Sequence, residues 1–526
     1  MPVRLSYSYS GFTWLILSLF ALILAVTTFL RVYSIIGHNF PLTYDQGRDL
    51  MEIRSLALGR PALVGPTTSI NGAFLGPFWY YFNLLPFWLG AGDPQAILLW
   101  QIVWYQLTGL LMFLYFFARQ KMFALTVAGL YLLMPLGFVV NHYFWNAHAM
   151  VMVTSWYLLI MFWARQKNTA SAWLAAGLVT GLALQIEAAW AVLFLPVSLW
   201  WILRSRPKLF WPWAMGVAVT LIPQLLYELR HQFAITQTLV QQFTGQAQIL
   251  GERLTLAQRL ANRRTVALNL LKQLLSVPSQ WSLGLASICG IGLFLPAMKP
   301  QRQLADAVKL SFGLILAATL FYLVFPQPLK QWYLSGLSLP LIYLLAVGLV
   351  NLADYLARSR AWLRLMPAGL LLLSLSNAIP AQLSYAQQSR GYHLQDPRYL
   401  PNQMQVVDWI YQQANGSGFA VYSYLPEIYD YSYQHVFWWY GRKKYHQSPV
   451  QISYGPHVPA YIKNQSRVWP HSRPPNRDEL IFLIIEPEEN FPDRQKQWLE
   501  QFQNLCLLQS HTFDWGTTVQ IRQQCN

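Results

Sequence analysis

Ionisable side chains are scarce in this chain. Only 11% of its 526 residues are Asp, Glu, Lys or Arg, against 55% hydrophobic. Soluble domains carry about a quarter charged residues, so the deficit excludes an ordinary soluble enzyme and calls for a bilayer. Cysteine is rarer still: Cys289, Cys506 and Cys525 are the whole set. Nothing in their spacing suits a zinc site. Cys289 lies inside an apolar run and reads as core. Cys506 and Cys525 lie near the C-terminus, where pairing requires an oxidising compartment. Also missing is any charged residue clearly at the middle of a long apolar run. Asp306 and Lys309 fall near the start of one, and Glu187 and Glu228 near the ends of others. Ion-coupled transporters place ionisable groups along their pathway, so this absence weighs against transport. No A-x-A pattern follows the first apolar run, which reads as an uncleaved helix and not a signal peptide. Internal repeats and low-complexity tracts are absent too.

Apolar runs able to span lie near 11–31, 95–117, 122–140, 147–164, 171–186, 188–203, 210–227, 281–298, 306–325, 332–352 and 363–380. About eleven transmembrane helices follow, the fifth and sixth nearly continuous. The 23 Trp and 29 Tyr suit two long water–lipid interfaces. The net charge of +16 is uneven. Residues 382–526 carry 12 basic and 12 acidic groups, leaving 25 against 9 in residues 1–381. An excess confined to the membrane part points to loop orientation and anionic lipids, and away from nucleic acid. Arg119 and Lys121, Arg165 and Lys167, Arg204 to Lys208, Lys299 and Arg302, and Arg358 to Arg364 fall in alternate short loops. The opposite short loops carry only Lys330. The positive-inside rule then puts the N-terminus in the cytoplasm, and loops 32–94 and 228–280 and everything after 381 outside. The expected setting is the plasma (inner) membrane.

The division that follows is a membrane domain over 1–381 and an extracytoplasmic soluble domain over 382–526. In the outer loop 32–94, residues 45–58 place Leu50, Ile53 and Ala57 on one helical face, with Arg48, Asp49, Glu52 and Arg54 around the rest. This is the pattern of a helix in the interface. Gly59-Arg60-Pro61 ends it. Phe78 to Leu89 is apolar but too short to span, and reads as a second interfacial or re-entrant helix. Loop 228–280 is helical from Thr255 to Leu275, with a basic cluster at Arg253, Arg259, Arg263, Arg264 and Lys272 that either attracts an anionic lipid or is simply solvated. Beyond 382, Gln405–Gln413 and Arg494–Phe502 read as helices. Phe419–Tyr424, Leu480–Ile485 and Thr517–Arg522 read as strands. A small α/β or α+β domain is the economical description.

Chemistry, if present, belongs at the outer face. Asp45 is placed to deprotonate an acceptor hydroxyl or amine as a general base, or to cap the helix that follows. Arg48 is spaced to pair with a phosphate, or with Glu52 four residues on. The plainer reading is a charged interfacial helix with ordinary salt bridges.

Three stretches carry a resemblance: Tyr44-Asp45-Gln46-Gly47-Arg48-Asp49, Gly65-Pro66-Thr67-Thr68-Ser69, and Gly76-Pro77-Phe78-Trp79-Tyr80-Tyr81. With Gln331-Trp332-Tyr333-Leu334 through Pro340, the layout resembles the GT-C superfamily of polytopic glycosyltransferases. It is most similar to glycosyltransferase family 39, which includes protein O-mannosyltransferases and aminoarabinose transferases. The likeness covers roughly residues 10 to 380. It implies an inverting transfer of a sugar from a polyprenyl-phosphate donor to a lipid, glycan or protein acceptor. Asp45 matches the first-loop aspartate and is the implied base. Relatives carry a second acid before the second interfacial helix, where this chain reads Ala73-Phe74-Leu75-Gly76-Pro77. Asp49 is then the substitute carboxylate and Arg48 a phosphate partner.

Other outer-face groups are weighed beside these. His142, Asn146 and His148, in the turn Asn141–His148, are candidates for donor phosphate or sugar, or an aromatic-belt turn with solvated histidines. Gln185, Glu187 and Tyr44 are candidate cavity walls; for Gln185 and Glu187 a helix cap is the alternative. His38, Asp45, His142 and His148 could gather a divalent metal, the one cofactor considered, but they share no ligand spacing that supports it. Two other functions remain open: a transporter or flippase of lipid-linked sugars, and a non-catalytic cell-envelope assembly protein.

Overall fold

The fold is described from a computed structural model, which covers residues 11–68, 70, 72–244, 254–295, 302–392, 395–427, 429–456 and 472–525. Ser69, Arg253 and Lys299, named above, lie outside the described residues. The chain forms two compact units. The first comprises Met1–Val32, Leu63–Trp79 and Gln101–Leu383, the second Tyr33–Ala62, Tyr80–Trp100 and Ser384–Asn526. Packing thus groups much of the loop 32–94 with the C-terminal residues, where chain order would group it with the spans.

Among the described residues seven helices are long and apolar enough to cross a membrane, beginning with Gly11–Ile35 and ending with Ala361–Arg390. One further pair, Pro207–Thr220 and Ile222–Arg230, passes only as a span bent by 55°. By length and composition the count among the described residues is therefore seven or eight, and the eleven read from hydropathy are not confirmed. The difference lies in breaks and lengths. The runs at 122–140, 171–186 and 281–298 yield shorter apolar helices, Lys121–Leu133, Ala170–Ile186 and Trp281–Gly292. Run 122–140 breaks because Pro135 forces Met134 into an extended conformation, with ψ 137°. That break orphans carbonyls at the end of Lys121–Leu133, and side chains take them up. Tyr105 donates to Tyr131 O at 2.7 Å, Arg31 Nη2 to Leu132 O at 2.8 Å, and Ser276 to Leu133 O. Arg31 is 1% exposed and also lies over the Tyr105 and Phe138 rings.

Polar contacts tie the helix ends of this unit at each pole. Arg165 Nε meets Asp306 at 3.0 Å and its Nη1 reaches Ser205 Oγ at 3.0 Å, joining three of the segments expected on one side. At the other pole Arg263 donates to Tyr322 O at 3.2 Å and to Phe325 O and Gln327 O at 2.7 and 2.8 Å. Arg259 reaches Leu323 O and Val324 O. These cations cap the C-terminus of the Arg302–Val324 helix, a structural use for two of the five residues in the basic cluster.

The second unit contains a five-stranded sheet of order β2-β1-β3-β5-β4, with β1 Phe419–Tyr424, β2 Gln451–Ser453, β3 Leu480–Ile485, β4 Leu505–Thr512 and β5 Thr518–Gln524. β1 is parallel to β2 and β3, and β5 is antiparallel to β3 and β4. β1 and β3 are apolar on both faces because both are covered. On one face Tyr422, Tyr424, Leu483 and Ile485 pack with Trp498 and Phe502. On the other, Trp409 and Tyr411 of the helix Leu400–Ala414 meet Phe482 and Phe419. β2 and β4 were not anticipated, being short in one case and largely exposed in the other. Cys506 and Cys525 form a disulfide between the ends of β4 and β5, with Cα atoms 5.1 Å apart.

Candidate functional site

The Tyr44–Ala57 helix begins where the sequence offers a capping box. Thr43 is the N-cap, and its amide donates to Gln46 Oε1 at 2.9 Å. Asp45 therefore does not cap; it stands in the first turn, where a carboxylate suits the helix dipole. The helix ends at Leu58, followed by Gly59 at φ +79°, as expected from Gly59-Arg60-Pro61. Its environment differs from an interfacial helix. Gly47, Asp49, Leu50, Ile53 and Arg54 are all buried. Gly47 is the reason for the close approach: an added Cβ would fall 2.5 Å from the Tyr431 carbonyl carbon. Arg54, expected at the surface, lies with its guanidinium 4.3 Å from the Trp438 ring.

Arg48 draws two carboxylates together. Its Nη1 meets Asp45 Oδ1 at 2.9 Å, and its Nη2 and Nε meet Asp49 Oδ1 at 2.8 and 3.0 Å. The Asp49 side chain is fully buried, while that of Asp45 keeps 17% of its surface exposed. Of the two acids, Asp45 is thus the one open to solvent. Burial pushes the Asp45 carboxyl above the usual carboxylate range, opposed by Arg48 and a hydrogen bond with Tyr44. Burial opposes the Arg48 charge, but Asp49, Tyr80 and Asp45 outweigh it and hold the guanidinium above its ordinary value. Tyr80 is buried against this group. Burial, with Asp49 and Glu52, keeps its phenol well above the ordinary value. Tyr44 is pushed up to about 12, chiefly by burial.

The second unit adds residues that sequence reasoning missed. The Tyr44 amide donates to Glu427 Oε2 at 3.1 Å. Tyr44 stacks on Tyr429 at 5.7 Å, and Tyr429 on Tyr431 at 5.5 Å. All three newcomers follow directly after β1, at the carboxyl end of a parallel strand, where open α/β sheets gather their sites. That placement was the available signal.

In the first unit, Asn146 and Glu187 are brought together. Asn146 Nδ2 donates to Ile186 O at 2.9 Å and to Glu187 Oε2 at 3.4 Å, while Glu187 Oε1 accepts from the Ala189 amide at 3.2 Å. Glu187 is in this sense a cap. Gln185 is a strut, since it accepts from the Phe78 amide at 3.1 Å and donates to Thr220 O. A side chain at Gly76 would collide with it, which accounts for that glycine. The loop from Gly65 to Gly76 closes as a ribbon, with Gly65 N to Leu75 O at 2.8 Å and Leu75 N to Pro66 O at 2.9 Å. His142 is buried, and His148 Nδ1 meets Tyr143 O at 3.0 Å. Tyr143, Trp145, His148 and Trp332 form a ring cluster, with centroids 5.3–6.0 Å apart, and Lys330 Nζ lies 5.0 Å from the Trp332 centroid. The Asp45 group belongs to one unit and the His142–Glu187 group to the other. His38 pairs with Asp93 at 3.1 Å. Among the described residues no three His, Cys, Asp or Glu gather as a metal-holding group.

Seven or eight apolar helices long enough to span, with a small mixed-sheet unit, define the class: an integral multi-pass membrane protein. No family model matches the chain, and no curated protein matches it. Solved structures do. The chain is similar to ArnT from Cupriavidus metallidurans in the apo state, with 14% identity and a TM-score of 0.58 over 98% of each chain. It is equally similar to the same protein bound to undecaprenyl phosphate, with 13% identity and a TM-score of 0.57 over 97% of this chain and 98% of that one. At such identity the likeness shows the fold: the GT-C-like architecture is that of ArnT, end to end.

Proposed function

We propose that the protein is an inverting glycosyltransferase that moves a sugar from a polyprenyl-phosphate donor to a lipid, glycan or protein acceptor at the outer face of the plasma membrane. The observation that carries this reading is Asp45: a partly exposed carboxylate, raised in pKa by burial and oriented by Arg48, in a chain with the ArnT fold. Arg48 and Asp49 act through it. Fixed by two carboxylates, Arg48 aims Asp45 more than it offers itself to a phosphate. In the step proposed, Asp45 takes the proton of the acceptor hydroxyl or amine. The acceptor atom bonds to the anomeric carbon as that carbon's bond to the phosphate oxygen breaks, and the polyprenyl phosphate leaves with the electron pair. A carboxylate with a raised pKa is the better base for this, because its basicity is greater.

To the donor we assign the aromatic cluster of Tyr143, Trp145 and Trp332, with His142, Asn146 and His148, since rings suit a sugar face and the amide and imidazoles suit phosphate oxygens. Gln185 and Glu187 support that turn, and Tyr44 supports Asp45. The N-terminus is assigned to the cytoplasm and the sheet unit to the outside, on the alternation of basic loops. An Asp45→Asn variant in membranes, supplied with a panel of undecaprenyl-phosphate pentoses and hexoses, tests the reading. Loss of transfer with normal expression is the expected result. Intact donor crossing the bilayer with no glycosidic bond formed would replace it with a flippase.

A further inference from the structure

The missing second acid of the first loop has a counterpart elsewhere in the chain. Glu427 follows β1 in the C-terminal sheet domain, yet its carboxylate accepts the Tyr44 amide proton at 3.1 Å. Tyr44 is the first residue of the helix that carries Asp45, and its N–H is one of the four that no helical carbonyl can satisfy. The surrounding chain repeats the attachment. Leu42 N donates to Arg398 O at 2.8 Å, Leu400 N to Phe40 O at 3.0 Å, and Gln403 Nε2 to Leu42 O at 3.0 Å. Gly47 rests on the Tyr431–Ser432 backbone, four residues past Glu427. The start of the Asp45 helix is therefore held by the segment after β1 and by residues 398–403.

We propose that Glu427 is a positioning residue for Asp45, and that the C-terminal domain is in this way part of the reaction site. The inference rests on the reading of Asp45 as base. Holding the Tyr44 amide fixes the first helical turn, and with it the direction of a carboxylate one residue on. A displacement of about 1 Å at a reacting group costs on the order of a hundredfold in rate. Several charges face Glu427. Asp45 comes from the first-loop helix, Asp396 and Arg398 from the segment before Leu400–Ala414, and Glu486 from the end of β3. Burial raises the Glu427 carboxyl most, the Tyr44 amide and Arg398 lower it, and Asp45 and Asp396 raise it. Asp45 and Glu427 are thus coupled like charges, and neutralising one eases ionisation of the other.

Two arms test this in the full-length protein. The first compares Glu427→Ala with Glu427→Gln in transfer from the same panel of undecaprenyl-phosphate pentoses and hexoses. Alanine removes the acceptor and is expected to lower kcat at least about tenfold with donor KM within about twofold. Glutamine keeps an oxygen for the Tyr44 amide and is expected to restore most of kcat. The second arm needs no substrate. Carbodiimide labelling of Glu427 is followed against pH by mass spectrometry, in wild type and in Asp45→Asn. Removing the neighbouring charge is expected to move the Glu427 midpoint down by about half a pH unit or more. An unmoved midpoint, wild-type kcat in Glu427→Ala, or glutamine as damaging as alanine would each overturn the proposal. Transfer surviving in Asp45→Asn would instead overturn the base assignment, and the labelling arm would still decide on Glu427.

Discussion

Arg48→Met is the perturbation whose size the structure sets most directly. The substitution keeps an unbranched apolar stem but removes the guanidinium from between Asp45 and Asp49. Asp49 is fully exposed to the consequence, because its side chain has no solvent-accessible surface and loses contacts at 2.8 and 3.0 Å. Breaking a buried ion pair from one side costs about 3–5 kcal/mol. A polytopic chain of two units does not unfold in one step, so the loss is best read as local opening. Amide hydrogen exchange over Tyr44–Ala57, in detergent-solubilised full-length protein, is expected to speed up roughly two to four orders of magnitude. Arg48→Met with Asp49→Leu removes both charges and is expected to recover most of the protection, as buried pairs exchanged for apolar residues often do. Unchanged exchange in Arg48→Met, or a double variant less protected than the single one, would refute the argument.

Other outcomes follow from individual residues. Gly47→Leu drives a side chain into the Tyr431–Ser432 backbone and is expected to cost about 1–3 kcal/mol, read as faster exchange in both Tyr44–Ala57 and 431–436. Glu486 is 2% exposed, and burial with neighbouring Glu427 pushes its carboxyl up to about 8. The folded state therefore holds a proton that the unfolded chain gives up near pH 4.5, so this group removes stability as pH rises to about 8 and changes nothing above that. Glu486→Gln is expected to flatten the fall in sheet-domain thermal stability between pH 5 and 8. Cys506→Ser with Cys525→Ser opens a loop of separation 19, and is expected to destabilise the sheet domain by about 3 kcal/mol, with a matching drop on adding reductant to wild type.

Much of the helical architecture was legible because long apolar runs report candidate spans directly. Two of the strands, Phe419–Tyr424 and Leu480–Ile485, were read at their observed bounds, since both faces are apolar and turn residues flank them. The helix 44–57 was read within a residue, from its face pattern and Gly59. What failed has physical causes. The count of eleven is not confirmed, because runs that hydropathy averages smoothly, such as 122–140 at Pro135, yield shorter helices. The charged helix read as interfacial because Asp49 and Arg54 carry charge, and sequence does not reveal that Arg48 and Trp438 cover them. Glu427 was invisible for the deeper reason that 383 positions separate it from Tyr44. Periodicity speaks for neighbours in the chain, whereas a site assembled across such a distance needs the packing itself.

The central claim is that Asp45 takes the acceptor proton, and single-turnover transfer in Asp45→Asn tests it most directly. Asparagine preserves size and most hydrogen bonding, so the Tyr44–Ala57 helix should keep its exchange protection and undecaprenyl phosphate should bind as in wild type. The account predicts that the chemical step slows by about a hundredfold or more, the scale of a lost general base. A chemical step at the wild-type rate, in a variant shown to be folded, would contradict it.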